Sequence, residues 1–283
     1  MSMNPTRDTT LCISLAARPG NFGVRFHNHL YQQMGLDYYY KAMTTQDLPA
    51  AVAGIRALGI RGCGVSMPFK EACIPLVDDL DASAAAIGSV NTIVNTHGQL
   101  KAYNTDYLAI GQLLREHDVD PETTFAVHGS GGMAKAVASA FRDAGFKSGL
   151  IIARNYETGR ALADACGYPW QAELGDSRPQ LLVNVTPIGM DGGEQAQQLS
   201  FEAAAVEAAE LIFDVVALPA LTPLILLAQS LGKPVITGLD VIALQALEQF
   251  VLYTGVRPDR EQVHQASAHA RGQAGATATS SSG

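Results

Sequence analysis

Short apolar runs alternate with amphipathic stretches along the first third of the chain. Apolar runs at residues 11–15, 38–42, 62–67 and 92–95 predict strands, and helical spacing at 48–58 and 70–76 predicts helices between them. Gly and Pro separate these segments. This alternation is typical of α/β units built around a mostly parallel sheet.

The same alternation returns further along the chain. Five apolar runs, at residues 124–127, 149–153, 181–185, 211–216 and 234–237, predict the strands of a Rossmann-like domain. We therefore expect an α/β protein of two domains, an N-terminal α/β domain over residues 1–105 and a Rossmann-like domain over residues 106–238. A helix from about 239 to 254 follows, and we expect the 239–266 region to pack back on the first domain. Residues 267–283 are mostly Ala, Gly, Ser and Thr, which predicts a disordered tail.

A glycine-rich loop lies between the first strand of the second domain and an Ala-rich helical segment. A strand, a tight glycine turn and a helix N-terminus together bind the pyrophosphate of a dinucleotide, because backbone N–H groups and the positive end of the helix dipole face the phosphates. A plain turn is the alternative, and the strand–helix context favours the nucleotide site. The candidate cofactor residues are Gly129, Ser130, Gly131, Gly132, Met133 and Ala134.

The end of the next predicted strand indicates which nucleotide is bound. Arg154 follows this strand, and no Asp or Glu precedes it at the tip. An acid there would accept a hydrogen bond from the ribose 2′-hydroxyl and repel a 2′-phosphate, whereas a guanidinium binds phosphate. A solvated arginine is the alternative for this residue alone. Together with the glycine loop, Arg154 predicts NADP(H) as cofactor.

Composition and charge narrow the class of partner. The chain has 283 residues, 47% hydrophobic and 16% charged, and a net charge of −8, which offers no basic surface for nucleic acid. Its four cysteines form no CxxC pair and lack His at metal-ligand spacing, so we expect reduced thiols and no metal site. No signal peptide or membrane-spanning run is seen, so we expect a cytoplasmic protein that does not bind membranes.

Polar residues at predicted strand ends form a candidate proton-transfer site. Lys70 is at the start of a predicted helix, where the helix dipole disfavours a positive charge, and this favours a functional role for Lys70. Taken without the other residues, an ordinary surface lysine is the alternative. Asp106 follows a second polar cluster and could pair with Lys70. Ligands of open α/β sheets bind at such carboxyl-end crevices, so these side chains predict an active site there.

Several motifs in one order resemble the shikimate dehydrogenase family over nearly the whole chain. They are VSMPFKE (65–71), GSVNTI (88–93), NTD (104–106), HGSGGMAKA (128–136), NVTPIGM (184–190), DVVALPALTPL (214–224) and GLDVIALQALEQF (238–250). The resemblance implies reduction of 3-dehydroshikimate to shikimate with NADPH, in aromatic amino acid biosynthesis, with Lys70 and Asp106 as the catalytic pair.

The resemblance also implies the binding residues. Asn91 and Gln245 match the family's contacts to substrate hydroxyls, and Ser66 stands at its Thr position. Ser14 matches one of two serines that hold the substrate carboxylate. The 129–134 loop and Arg154 match the NADP site, to which Asn155, Thr186 and Gly238 are added as expected cofactor residues.

The chain departs from the family in its substrate-binding residues. Ala16 replaces the second clamp serine, Gly64 stands where the family usually has Asn, and Ala217 replaces a tyrosine. Tyr107 follows Asp106 where Gly is usual. Residues 15–26 contain an insertion, from which Arg18 or Asn21 could supply the lost carboxylate contact. This pattern resembles the divergent shikimate dehydrogenase-like branch and predicts weak activity on shikimate.

Three hypotheses for the function of the chain stay open. The first is an enzyme acting on a small molecule, a shikimate-like cyclic hydroxy acid, as a monomer or homodimer. A nucleotide-binding regulatory relative without efficient turnover is the second, although the proton-transfer pair Lys70 and Asp106 favours catalysis. A methylene-tetrahydrofolate dehydrogenase-like enzyme shares the two-domain shape but does not explain the NTD and GLDVIALQ segments.

Overall fold

The computed structural model describes residues 5–272, which form two compact units. Within the described residues, one unit comprises residues 5–105 and 243–272, and the other comprises Asp106–Ile242. The C-terminal segment therefore belongs to the same unit as the N-terminal third. The predicted α/β class is confirmed in both units, since each contains a six-stranded sheet with helices.

The first unit contains a mixed sheet. Its strands are β1 (Thr10–Leu15), β2 (Tyr38–Met43), β3 (Gly62–Val65), β4 (Asp79–Leu80), β5 (Thr92–Thr96) and β6 (Gln99–Tyr103), in the order β2-β1-β3-β5-β6-β4. β1 is parallel to β2 and β3, whereas β5 is antiparallel to both β3 and β6. The β5–β6 hairpin turns at His97 and Gly98, whose φ angles of 53° and 87° suit a tight two-residue turn. Three of the five strand pairings are parallel, in line with the mostly parallel sheet that the sequence predicts, and both antiparallel pairings involve β5.

The helices of the first unit begin with α1 (Phe22–Gln33), α2 (Leu48–Ala57), α3 (Phe69–Ala72) and α4 (Ala82–Ala85). A short 3-10 turn, Ile74–Leu76, follows α3. α1 starts within the 15–26 segment that was treated as an inserted loop, so the irregular part of that insertion ends at Asn21. Buried side chains along one face explain the helix, and they are Phe26, His27, Leu30 and Tyr31.

The C-terminal helices complete the first unit. α10 (Gly238–Thr254) enters it at Ala243, and α11 (Arg260–Ala270) packs on α1. A capping box between Asp259 and Gln262 starts α11. Because the helix runs to Ala270 with Ser267 buried, the predicted disordered tail is wrong for its first residues. The remainder of that prediction, residues 273–283, lies outside the described residues.

The second unit is a doubly wound parallel sheet. It begins at α5 (Thr105–Glu116), and its strands are β7 (Phe125–His128), β8 (Gly149–Ile152), β9 (Trp170–Gln171), β10 (Leu181–Asn184), β11 (Leu211–Asp214) and β12 (Val235–Thr237). The helices between them are α6 (Gly132–Asp143), α7 (Tyr156–Cys166), α8 (Ala203–Ala208) and α9 (Pro223–Ser230).

Strand order in the second unit positions a ligand site. The order β12-β11-β10-β7-β8-β9, with every pair parallel, is that of a Rossmann fold in which β7 is the first strand. The chain moves outward in both directions from the β7–β10 pair. A crevice therefore opens at the carboxyl ends of these two strands, which is where open α/β sheets bind ligands.

No helix within residues 5–272 combines the length and the apolar character that crossing a bilayer requires.

Candidate functional site

A cavity of about 580 Å³ lies at the carboxyl ends of β7, β8 and β10. This is the crevice that the strand order of the second unit creates. Its walls come from three loops, one after each strand. The lining residues are His128, Gly129, Ser130, Gly131, Ala153, Arg154, Asn155, Val185, Thr186 and Pro187.

The glycine loop after β7 brings backbone groups to the cavity. Gly129 has a φ of +133°, and a Cβ there would lie 2.8 Å from Val185 Cγ2, so both backbone conformation and space require glycine. A Cβ at Gly131 or Gly132 would meet no atom within 4 Å. Gly131 is the N-cap of α6 and has no side chain to bond the first-turn N–H groups. This loop therefore leaves open space and N–H donors suited to a phosphate group.

Polar side chains after β8 form the second wall. Arg154 is exposed at the strand end. Burial of His128 lowers its pKa, and the positive charge of Arg154 lowers it further. Asn155 caps α7 by accepting the Thr158 N–H at 3.0 Å, and the Ser130 and Thr158 hydroxyls are 2.7 Å apart. The loop holding Arg154 is therefore fixed to the glycine loop by a hydrogen bond.

The third wall, after β10, is held by a buried carboxylate. Asn184 Oδ1 accepts from the Thr186 N–H and hydroxyl at 3.0 and 2.7 Å, and Asn184 Nδ2 donates to Asp214 Oδ1 at 2.9 Å. Asp214 also accepts from Val216 N–H at 3.0 Å and from the Thr222 hydroxyl at 2.6 Å. Burial raises the pKa of Asp214, whereas these three donors lower it. Asp214 was not singled out by the sequence, although it opens the DVVALPALTPL motif.

Six of the ten predicted cofactor residues line this cavity, namely Gly129, Ser130, Gly131, Arg154, Asn155 and Thr186. Gly132 and Met133 lie in the first turn of α6, and Ala134 is fully buried behind it. Gly238 is buried against the backbone of Val215 and Val216, where a Cβ would clash, so close packing accounts for this glycine. A direct cofactor contact of Gly238 stays a prediction.

Two of the predicted substrate residues, Asn91 and Gln245, both lie within hydrogen-bond distance of Thr105. Asn91 Oδ1 accepts from the Thr105 N–H at 2.7 Å and from the Thr92 hydroxyl at 2.8 Å. The Thr105 hydroxyl is 3.1 Å from Asn91 Oδ1 and 3.5 Å from Gln245 Oε1. The side-chain oxygen of Asn91 is therefore occupied by backbone and hydroxyl donors, and contact of Asn91 with a substrate stays a prediction.

Gln249, one turn after Gln245 on α10, supports this cluster. Its Nε2 donates to the Asn91 carbonyl at 3.2 Å and to the Thr92 hydroxyl at 3.0 Å, and the side chain is buried. Gln249 is not among the site residues predicted from the sequence. Its spacing of four from Gln245, which puts both amides on one helix face, was the available signal.

The catalytic candidates Lys70 and Asp106 lie on two helices, α3 and α5. Lys70 is half-buried in the four-residue α3, and its carbonyl accepts from Val90 N–H at 2.9 Å. Asp106 is buried in the first turn of α5, directly after Thr105, and belongs to the second unit. Ser66 is exposed after β3, and its N–H donates to the Leu15 carbonyl at 2.9 Å. The pairing of Lys70 with Asp106 stays a prediction.

The inserted segment lies at the surface. Arg18 and Asn21 are both exposed, and within residues 5–272 no hydrogen bond of either side chain is found. Ser14 lies in β1 and is half-buried. A cluster of three metal-ligating side chains is likewise absent from the described part of the chain.

Comparison with known proteins identifies the family. Residues 22–93 match the model of the shikimate dehydrogenase substrate binding domain. A shikimate dehydrogenase-like protein of Haemophilus influenzae is 53% identical over 265 residues, covering 94% of this chain and 98% of that protein. The shikimate dehydrogenase (NADP(+)) of Pelodictyon phaeoclathratiforme is 34% identical over 82% of this chain and 86% of its own length.

Solved structures agree with the sequence matches. A shikimate 5-dehydrogenase-like protein superposes with a TM-score of 0.93 at 53% identity, over 94% of this chain and 99% of that one. The Thermus thermophilus shikimate 5-dehydrogenase in complex with NADP(H) and shikimate gives 0.82 at 28% identity, over 93% and 99%. The two-domain α/β fold and the resemblance inferred from the motifs are thereby confirmed.

Proposed function

Because this chain belongs to the shikimate dehydrogenase family, we propose that it is an NADP(H)-dependent oxidoreductase interconverting a shikimate-like cyclic hydroxy acid and its ketone. One observation carries the proposal. A cavity at the switch point of a Rossmann sheet is lined by the glycine loop and by Arg154, with no acid at the end of β8. This combination suits a phosphorylated dinucleotide.

NADPH, when bound, supplies the hydride. The chain's own part is to hold the cofactor: first-turn N–H groups of α6 for pyrophosphate, and the Arg154 guanidinium for the 2′-phosphate. We expect tighter binding of NADPH than of NADH. Arg154→Asp should weaken NADPH binding by about 1.5–3 kcal/mol, the value of hydrogen bonds to a charged group.

The cofactor test uses fluorescence titration of both nucleotides. Arg115 is an exposed arginine of the same unit on α5, so Arg115→Asp makes the same charge change away from the cavity. The control should bind NADPH as the unmodified protein does. Equal or tighter binding of NADH by the unmodified protein would contradict the assignment.

Lys70 and Asp106 are proposed as the proton-transfer residues. Reduction of a ketone develops negative charge on oxygen, and a lysine ammonium can stabilise that charge and deliver a proton. The carboxylate of Asp106 would hold the lysine in place and favour its protonated form. Lys70→Ala should lower kcat by about 10²–10⁴-fold with a much smaller change in KM.

Two further variants test whether these residues act as a unit. Asp106→Asn should also reduce turnover, and the double variant should lose less than the sum of the single losses in free energy. Lys147, an exposed lysine between α6 and β8 that does not line the cavity, provides a matched control through Lys147→Ala for general effects of removing a lysine on turnover. Wild-type rates in the Lys70 variant would remove Lys70 from the mechanism, and additive losses would show independent action.

The substrate carboxylate is proposed to be held more weakly than in biosynthetic relatives. Ala16 cannot donate the hydroxyl hydrogen bond of a second serine, and one lost charge-assisted bond costs about 1.5–3 kcal/mol, or roughly one to two decades of rate. Arg18 on the exposed insertion is the competing source of a carboxylate contact. Steady-state assays with shikimate and NADP, alongside Arg18→Ala, separate these cases. A kcat/KM of about 10⁴–10⁸ M⁻¹s⁻¹ would show that the altered clamp is not limiting.

We further propose that the protein acts in the cytoplasm, since Cys12, Cys63, Cys73 and Cys166 are all buried free thiols. We propose a monomer or homodimer, which sedimentation velocity would determine. A panel of cyclic hydroxy acids tests the function as a whole. Tight NADP(H) binding without turnover of any of them would favour the regulatory alternative.

A further inference from the structure

His128 is an ionisable residue at the border between two cavities of the second unit. It ends β7, and it lines both the nucleotide cavity and a neighbouring cavity of about 390 Å³. Arg154 is the other residue that the two cavities share. His128 is paired with Ile152 of β8, and Arg154 follows Ile152 by two residues, which places its side chain on the same side of the sheet. The imidazole and the guanidinium therefore come together where the two cavities meet.

A hydrogen bond fixes the tautomer of this histidine. His128 Nδ1 lies 2.8 Å from the Ser200 carbonyl, and a carbonyl oxygen can only accept, so Nδ1 carries the proton. The Phe201 ring packs edge-on against the imidazole, with centroids 5.5 Å apart. In the neutral ring Nε2 therefore has a lone pair and no hydrogen. Among the described residues Nε2 has no hydrogen-bond partner, and it is not a fully buried atom, so a ligand can reach it from a cavity.

The surroundings of the imidazole keep it neutral in the free protein. Burial lowers the pKa of His128, the hydrogen bond to the Ser200 carbonyl raises it, and the charge of Arg154 lowers it again. The net direction is downward, so at pH 7 the free protein presents Nε2 as an acceptor beside a guanidinium. The charged residues that line the neighbouring cavity come from the ends of β8 and β9 and from the N-cap of α8, and they are Arg154, Glu173, Arg178 and Glu202.

This arrangement responds in opposite ways to the two forms of the cofactor ribose. A neutral Nε2 can accept a hydrogen bond from the 2′-hydroxyl of NAD(H), but it has no hydrogen for a 2′-phosphate, whose oxygens are acceptors. A protonated Nε2 donates to a phosphate oxygen, and a nearby dianion stabilises the protonated ring. The charge of Arg154 disfavours protonation of His128, and a phosphate bound by both side chains offsets that repulsion.

We propose that His128 is a specificity-determining residue for the cofactor, which takes up one proton when NADP(H) binds and donates a hydrogen bond from Nε2 to the 2′-phosphate beside Arg154. This inference rests on the proposed function, because it needs the 2′-phosphate at Arg154. The proton comes from solvent, so binding of NADP(H) depends on pH. Between the pKa of His128 in the free protein and its higher pKa in the complex, the affinity for NADPH falls by up to about tenfold for each unit that the pH rises.

The test measures the dissociation constants of NADPH and NADH by fluorescence titration at pH 7.0 and 8.0. The 2′-phosphate is mostly a dianion at both values, because the second pKa of a phosphate ester is about 6. For the unmodified protein, the Kd of NADPH should rise about 3- to 10-fold from pH 7.0 to 8.0, and the Kd of NADH should change less than about twofold.

Two variants of His128 separate the proton from the hydrogen bond. In His128→Asn the amide nitrogen can still donate to the Ser200 carbonyl, but no group stands at Nε2, so the pH dependence of NADPH binding should disappear. His128→Gln brings an amide donor that does not titrate toward the Nε2 position, so NADPH should bind with the same Kd at both pH values. His117→Asn is the matched control, because His117 is an exposed histidine of the same unit that lines neither cavity, and it should keep the pH dependence of the unmodified protein.

Calorimetry counts the proton directly. Titration at pH 7.5 in two buffers of different ionisation enthalpy should show uptake of about 0.5–1 proton when NADPH binds and close to none when NADH binds. Circular dichroism checks that each variant is folded. If His128→Asn does not fold, the proton count for the unmodified protein and the titrations of His128→Gln still decide the matter.

The outcomes distinguish this inference from the proposed function. An NADPH affinity that does not change with pH, an equal change in the unmodified protein and His128→Asn, or no proton uptake would overturn the role of His128. Binding of NADPH in those same titrations would leave the proposed function standing. Failure of NADPH to bind at either pH would refute the proposed cofactor and, with it, the role of His128.

Discussion

Asp214 is a fully buried carboxylate that ties two loops of the second unit to their strands, and its removal tests how that unit is held together. Its Oδ1 accepts from Asn184 Nδ2 and Val216 N–H, and its Oδ2 accepts from the Thr222 hydroxyl. Asn184 in turn holds Thr186, which lines the nucleotide cavity. Loss of Asp214 should therefore affect both folding and cofactor binding.

The size of the effect follows from the groups left behind. In Asp214→Ala the side-chain amide of Asn184 and the backbone N–H of Val216 lose their acceptor, and each buried donor left without a partner lowers the free energy of unfolding by about 1–3 kcal/mol. The Thr222 hydroxyl can rotate to another partner. Removing a carboxylate whose pKa is raised by burial recovers part of this cost. We expect a net loss of about 2–4 kcal/mol for Asp214→Ala and about 1 kcal/mol for Asp214→Asn, which keeps Oδ1.

Urea unfolding followed by circular dichroism measures the loss, and NADPH titration measures the effect on the cavity. Asp176→Ala, an exposed aspartate of the same unit, should stay within about 0.5 kcal/mol of the wild type. NADPH should bind more weakly to the Asp214→Ala variant than to the control. A wild-type midpoint for Asp214→Ala, or equal losses for the Ala and Asn variants, would refute the role assigned to Oδ1.

The pH dependence gives an independent check on the same residue. Because the folded pKa of Asp214 is raised above the ordinary 3.8, the folded protein binds the proton more tightly than the unfolded chain does. Wild-type stability relative to Asp214→Asn should therefore fall as pH rises from about 3.8 through the folded pKa. A difference that grows in the opposite direction would contradict the burial of this group.

Three further predictions concern the first unit and the glycine loop. Gly129→Ala should weaken NADPH binding at least tenfold, because Gly129 has a φ of +133° and an added Cβ would contact Val185. Gly132→Ala should leave the free energy of unfolding of the unliganded protein within about 0.5 kcal/mol of the wild type, because an added Cβ would meet no atom within 4 Å. Burial lowers the pKa of His27 from 6.5 to about 3, so the free energy of unfolding should fall as pH decreases from about 6.5 toward 3. His27→Phe should remove most of this dependence in urea titrations at pH 7 and 5. Gly62→Ala should lower the urea midpoint strongly, since its Cβ would overlap the Tyr253 ring, and an unchanged midpoint would contradict the packing of α10 on β3.

Much of the second unit could be predicted from local pattern. Its apolar runs are strands, the glycine loop opens α6, and Arg154 ends β8, because each of these features is encoded within a few neighbouring residues. The hairpin turn at His97 and Gly98 was also local but was missed, since positive φ is uncommon for any residue other than glycine. α1 was missed because the inserted segment was judged by its difference from the family and not by its own helical spacing.

The order of apolar runs, the glycine loop and the family motifs were determined by the sequence alone, because propensity and motif spacing act over short distances along the chain. Only the tertiary structure decided that α11 continues to Ala270, that Gln249 supports Asn91, and that Gly64 faces the Tyr40 hydroxyl. Each of these depends on segments far apart in sequence, from 24 residues for Tyr40 and Gly64 to 158 for Gln249 and Asn91. Such contacts form when the chain folds back on itself, so the space a side chain fills is set by its neighbours in the fold and not by its neighbours in the sequence.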